Sequence, residues 1–83
     1  MKLTLRYFAS IREGLMISSE EWETQARTLS ELRVELSARD AVYAAHLSMH
    51  RPVRMAINQV MASGEEPLVD RAEVAFFPPV TGG

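Results

Sequence analysis

There is no cysteine among the 83 residues of this chain. That excludes disulfides and thiolate metal sites. It also fits a reducing compartment, and the expected location is cytoplasmic. No run of about 18 apolar residues occurs, so no membrane span is expected. A basic stripe is missing as well: nine basic residues stand against eleven acidic ones, for a net charge of −2. Nucleic acid is therefore not an expected partner. The chain does not open like a signal peptide, because Lys2 to Tyr7 alternates apolar and polar from the start. No internal repeat, linker, catalytic triad or metal cluster is visible. His46 and His50 have the i, i+4 spacing of some zinc sites, but no third ligand lies near and Pro52 follows. A surface or half-buried pair is the expectation.

What is present reads as one globular domain, 1–83. The hydrophobic fraction of 47% is too high for a disordered chain. The length allows only a modest core. Residues 2–8 read as a strand, with Leu3, Leu5 and Tyr7 on one face and Phe8 on the other. Ser10 to Glu13 has the capping-box form and predicts a short helix that Gly14 stops. Glu20 to Gln25 is a weaker strand with Trp22 and Thr24 inward. Thr28 to Glu31 is a second capping box. Leu29, Leu32 and Leu36 then follow on one face, predicting the main helix over 29–39. Arg33, Glu35 and Arg39 fall on its wet side. A helical segment over 41–49 places Val42, Tyr43 and Leu47 inward, and Pro52 ends it.

Val53, Met55 and Ile57 alternate as a strand, and Asn58-Gln59 reads as a two-residue turn. Ile57 and Val60 should then share the core face, with Met61 outward beside Ala56. After a loop over 63–67, Glu73 to Phe77 forms the last strand, with Val74 and Phe76 on one face and Ala75 and Phe77 on the other. Pro78 and Pro79 end it, since proline cannot donate to a ladder. The pattern is α+β. The order of elements suggests a β-grasp (ubiquitin-like) layout: a mixed sheet on one main helix, with first and last strands adjacent.

The tail, residues 78–83, carries the chemistry. Two prolines favour an extended neck, and two glycines remove all bulk at the end. Such an end can thread a narrow active-site channel. A free carboxylate is a poor electrophile; adenylation by ATP would activate it, and a sulfur nucleophile could then make it a thiocarboxylate. The dipeptide alone leaves two readings, a working terminus or a frayed end. Chance gives two terminal glycines in roughly 0.5% of chains, which together with the Pro-Pro neck favours the first.

The segment Glu73-Val74-Ala75-Phe76-Phe77-Pro78-Pro79-Val80-Thr81-Gly82-Gly83 resembles the C-terminal signature of the small subunit of molybdopterin synthase, the MoaD family. Tyr7-Phe8-Ala9-Ser10-Ile11-Arg12-Glu13 resembles that family's opening, and Ala56-Ile57-Asn58-Gln59 its hairpin turn. The resemblance covers the whole chain and implies a β-grasp sulfur carrier. In that family an E1-like enzyme uses ATP to adenylate the terminal glycine, and a sulfur donor protein leads to its thiocarboxylate. The tail enters the large subunit of a heterotetramer, where the catalytic residues lie. Two sulfurs then convert cyclic pyranopterin monophosphate to the molybdopterin dithiolene. By this match Gly83 bears the reacting group, Gly82 is its thin neighbour, and no cofactor is bound by the chain itself. The chain departs from the family at Asp70-Arg71-Ala72, where Asp-Gly-Asp or Asp-Gly-Glu is common.

Phe8, Met61 and Phe77, all placed outward, are the candidate partner interface together with Pro78, Pro79, Val80 and Thr81. Arg12 is a candidate contact for the activating enzyme by the resemblance, or else a solvated helix charge. Glu20-Glu21 and Glu65-Glu66 read as solvated loop charges. The tail is expected to be disordered beyond Pro79 without a partner. Other readings are a carrier for thiamin, cysteine or tRNA thiolation, a protein modifier joined by isopeptide bonds, and a β-grasp binding module with an inert tail.

Overall fold

The computed structural model of the chain describes residues 1–79. Strand β1 (Lys2–Tyr7) leads through helix α1 (Ala9–Leu15) to β2 (Ser19–Glu23). Helices α2 (Leu29–Ser37) and α3 (Ala41–Leu47) follow, then β3 (Arg54–Ile57), β4 (Val60–Ala62) and β5 (Glu73–Phe77). The strands form one sheet in the order β2-β1-β5-β3-β4. β1 and β5 are parallel neighbours, and the other pairings are antiparallel. This is the expected α+β, β-grasp arrangement.

Alternation sorts the central strands. Leu3, Leu5, Tyr7, Val74 and Phe76 turn to one face and are each at most 1% exposed. Leu29, Leu32 and Leu36 of α2 seal that face and are fully buried. The Tyr7 ring stacks on Phe76 with centroids 5.8 Å apart. Full burial of one such side chain contributes about 1.5–3 kcal/mol, so these residues dominate the stability of a small core.

Arg33 is a correction to the expected wet side of α2, because it is buried. Positions 29, 32, 33 and 36 are spaced i, i+3, i+4 and i+7, so Arg33 shares the leucine face. Its guanidinium donates to the carbonyls of Leu47 at 2.6 Å, Ser48 at 2.6 Å and Arg51 at 2.7 Å. Those are acceptors in and just beyond the last turn of α3. The helix therefore closes at Leu47, short of residue 49 and well before Pro52. Val42 is also corrected: it is exposed, while Tyr43 and Leu47, at i, i+4, define the buried face.

The first capping box is unused. α1 begins at Ala9 with Phe8 as its N-cap and no side-chain cap. Ser10 thus sits inside the first turn. Gly14 does not stop the helix; Met16 does, at φ 62°, with its N–H donating to the Arg12 carbonyl at 2.9 Å. Gly14 answers a packing demand instead, since a Cβ there would collide with the His46 imidazole of α3. The second box works with a shift. Thr28 Oγ1 accepts from the Glu31 N–H at 3.2 Å, but the Glu31 carboxylate accepts from the N–H of Arg27, not Thr28. α2 ends at Ser37, two residues earlier than expected.

Asn58 and Gln59 take φ 49° and 69°, the left-handed pair a two-residue hairpin requires. Ile57 pairs with Val60, and Ala56 with Met61, as expected. Val60 is nonetheless 68% exposed rather than core, because β4 is an edge strand. β1 and β2 close at Tyr7 and Glu23, one and two residues early. Before β5, Arg71 takes φ 70°, the conformation glycine adopts freely. Its N–H donates to the Lys2 carbonyl at 2.7 Å, and Asp70 Oδ1 accepts from the Lys2 N–H at 2.8 Å. Arginine there keeps a turn suited to glycine.

Candidate functional site at the root of the tail

β5 pairs on both edges, with β1 in parallel register from Thr4↔Glu73 to Tyr7↔Phe76 and with β3 from Arg54↔Phe77 to Ile57↔Val74. The tail thus leaves from a strand held on both sides and pinned by the buried Phe76. Pro78 and Pro79 follow at once and are half-buried.

The same registers place the outward residues. The Phe8 N–H donates to the Phe76 carbonyl at 3.1 Å, carrying the parallel ladder one step past β1 and setting Phe8 beside Phe77. Arg54 is the register partner of Phe77 on the other side. Ala75 pairs with Ala56, which pairs with Met61. Two small side chains therefore form a floor between the aromatic pair and Met61. Phe8 is 39% exposed and Met61 55%, while Phe77 is half-buried. The Arg6 guanidinium lies 5.6 Å from the centre of the Phe8 ring and donates to Glu73 at 3.4 Å. Arg12 is exposed on α1. A groove of about 260 Å³ beside the root is lined by Ser10, Ile11, His46, Arg51, Pro78 and Pro79. Val80, Thr81, Gly82 and Gly83 lie outside the described residues, and so does the expectation of disorder past Pro79.

Sequence reasoning placed Phe8, Met61 and Phe77 outward, with Ala56 beside Met61 and Ala75 on the face of Phe77, but did not join them into one row with Arg54. The Asn58-Gln59 turn fixes the β3–β4 register, but only the pairing of β5 with β3 completes the row.

Away from the tail, Glu20 is a correction. It is not a solvated loop charge. It alternates with Trp22 and Thr24 on the inward face of β2, opposite Leu5. Its carboxylate accepts from Tyr7 Oη at 2.7 Å, Tyr43 Oη at 2.9 Å and Arg39 at 2.9 Å. Arg39 lies over the rings of Trp22 and Tyr43, at 4.4 and 4.0 Å from their centres. Trp22 Nε1 and Thr24 Oγ1 both donate to Glu35 at 2.6 Å, so Glu35 leaves the wet side too. Burial opposes the charge on Glu20, but the hydrogen bonds from Tyr7, Arg39 and Tyr43 outweigh it and lower its pKa. Burial, then the bond to Glu20, pushes the Tyr7 phenol far up. The cluster ties the edge strand β2 to α2 and α3. Glu65 and Glu66 are exposed, as expected. His46 is half-buried and His50 exposed. Among the described residues no three His, Cys, Asp or Glu side chains converge as metal ligands, and no helix is long and apolar enough to cross a membrane.

Comparison with known proteins agrees with this geometry. The model of the ThiS family matches residues 5–83. The molybdopterin synthase sulfur carrier subunit of Escherichia coli (strain K12) is 38% identical over 77 residues, covering 93% of this chain and 94% of that protein. A solved structure from Pyrococcus furiosus, a candidate molybdopterin converting factor subunit 1, superposes with a TM-score of 0.79 at 29% identity, over 96% of this chain and 99% of that one. A chain from the protein–protein complex of subunits 1 and 2 of the Helicobacter pylori molybdopterin-converting factor gives 0.66 at 25% identity, over 100% of both chains. From its tail signature, its β1–β5 pairing and these likenesses, the chain belongs to the ThiS family, as a ubiquitin-like sulfur carrier.

Proposed function

We propose that this chain is the sulfur-carrier subunit of a molybdopterin synthase, with the Gly83 carboxyl as its reacting group. The observation that carries the reading is a Pro-Pro-led Gly-Gly end, rooted on the central strand of a chain 38% identical to a molybdopterin synthase sulfur carrier subunit. An activating enzyme of the E1-like class joins the carboxylate to the AMP moiety of ATP and releases pyrophosphate. A sulfur donor protein supplies the nucleophile that displaces AMP, leaving a terminal thiocarboxylate. That soft sulfur attacks cyclic pyranopterin monophosphate inside the large subunit. Each attack leaves a thioester between Gly83 and the substrate, which water cleaves to return the carboxylate, and two transfers complete the dithiolene.

The chain supplies positioning rather than chemistry. β5 fixes where the tail starts, Pro78 and Pro79 end the strand, and glycines without side chains suit an end that must pass a narrow channel. The face of Phe8, Phe77 and Met61 docks on the large subunit, in a heterotetramer of two small subunits on a large-subunit dimer. ATP is a substrate of the activating enzyme, and the process is cytoplasmic. The Helicobacter pylori complex, between two subunits of a molybdopterin-converting factor, supports the large-subunit partner.

Intact mass spectrometry of the protein isolated from its own cells tests the reading. A fraction heavier by the difference between one sulfur and one oxygen, localised to Gly83, is the expected result. Gly83 found only as free carboxylate in cells making the cofactor, or only in isopeptide conjugates, would count against it.

A further inference from the structure

Three arginines lie on the segments that frame the root of the tail. Arg54 stands beside Phe77 on the outer face, as its register partner. Arg51 lines the groove along Pro78 and Pro79. Arg12 directly follows Ser10 and Ile11, which line the same groove from α1. All three are exposed, and none has a carboxylate within 4.0 Å among the described residues. Arg6, Arg33 and Arg39 are placed differently, in an ion pair with Glu73, a cap on α3 and an ion pair with Glu20. The acids are elsewhere. Of eleven acidic residues, only Glu13 adjoins these segments; the others line β2, α2, the loop at 65–66 and the turns at Asp40 and Asp70, or pair with Arg6. A chain of net charge −2 therefore turns a cationic end toward whatever receives its tail.

We propose that Arg12, Arg51 and Arg54 form a collar around the tail root that engages a carboxylate-rich rim on the large subunit, at the mouth that admits the tail. The inference rests on the sulfur-carrier reading. Its basis is charge complementarity and continuity with the docking face. Phe8, Phe77 and Met61 supply an apolar centre, and the arginines supply the polar rim that specific interfaces carry. Guanidinium forks match carboxylates in bidentate geometry and lose little on desolvation, so three together favour an acidic counterpart. Such a rim orients the encounter before the tail is threaded. Its effect belongs mainly to the association rate and weakens as salt screens it.

The experiment is stopped-flow association of the full-length chain with its cognate large subunit, over a series of salt concentrations. The double variant Arg51→Glu/Arg54→Glu is compared with wild type, with Arg51→Lys/Arg54→Lys and with Phe77→Ala. Circular dichroism checks each fold. The expected result is an association rate about tenfold lower for the charge reversal at low salt, converging with wild type at high salt. The lysine variant should stay near wild type, since steering follows charge. An unchanged rate and salt slope for the charge reversal overturns the collar. If Phe77→Ala still weakens binding in that case, the docking face survives and only the collar is wrong. If Phe77→Ala also binds normally, the face itself fails. Slower association with the activating enzyme but not with the large subunit overturns the assignment to this partner.

Discussion

The two faces of the sheet obey opposite rules. On the inner face Leu3, Leu5, Tyr7, Met55, Val74 and Phe76 are buried, and helices cover them. On the outer face lie Phe77, Ala75 and Arg54, with Phe8 just past β1 and Met61 on β4; Ala56 sits among them but is buried. Among the described residues no helix covers this row. Phe76 and Phe77 are neighbours in sequence, yet one is completely buried and the other half-buried on the far side. Inner side chains are fixed by the need for a core. Outer ones are free of it, so an apolar row there costs solubility and signals a use.

The largest expected effect breaks the two phenylalanines apart. Phe76→Ala should cost about 3–5 kcal/mol of stability, as a large buried truncation. Phe77→Ala should cost less than about 1 kcal/mol of stability but weaken binding to the large subunit by about 2 kcal/mol or more, as an interface anchor. Urea denaturation and titration calorimetry read the two quantities separately. Equal stability losses would dissolve the distinction between the faces.

Next comes Arg33→Ala, which strips donors from three carbonyls around the end of α3. A loss of about 2–4 kcal/mol is expected, with the helix end fraying in hydrogen exchange. Arg33→Met should not restore it, because methionine fills volume but donates nothing. A loss below about 0.5 kcal/mol would mean that water satisfies those carbonyls.

Glu20→Gln should cost about 1–3 kcal/mol at neutral pH. The folded-state pKa of Glu20 is depressed. Its contribution is therefore full above the ordinary carboxylate pKa and lost as pH falls through the lowered folded value. The gap between wild type and Glu20→Gln should shrink on acidification, measured by urea midpoints across pH. A gap constant with pH would show that its charge contributes nothing. The smallest effect is a gain: Arg71→Gly should stabilise by about 1 kcal/mol, by relieving a left-handed arginine. Thermal unfolding checks it, and a lower midpoint would show that the arginine side chain compensates the strain.

These contrasts also mark what was legible beforehand. Strict alternation found β1, β5 and the hairpin, because a two-residue period with one buried face leaves little choice. The leucine stripe found α2 but hid Arg33, since a charge was assigned to water although its position lay within the stripe. Glu20 was missed for the same reason: its alternation with Trp22 and Thr24 pointed inward, and its acidity pointed outward. Gly14 and Ser10 could not be read locally. One is set by His46 across the fold, and the other by where β1 happens to end. Of the candidate site, the outward residues were legible from period alone. Their grouping with Arg54 across Ala75 and Ala56 needed the strand order.

Deletion of Gly83 tests the central claim most directly, assayed as molybdopterin formation by the reconstituted synthase and its activating enzyme. The truncated chain should fold with unchanged stability, bind the large subunit and yield no molybdopterin. Product formed at the rate of the full-length chain would contradict the assignment of the reacting group to Gly83.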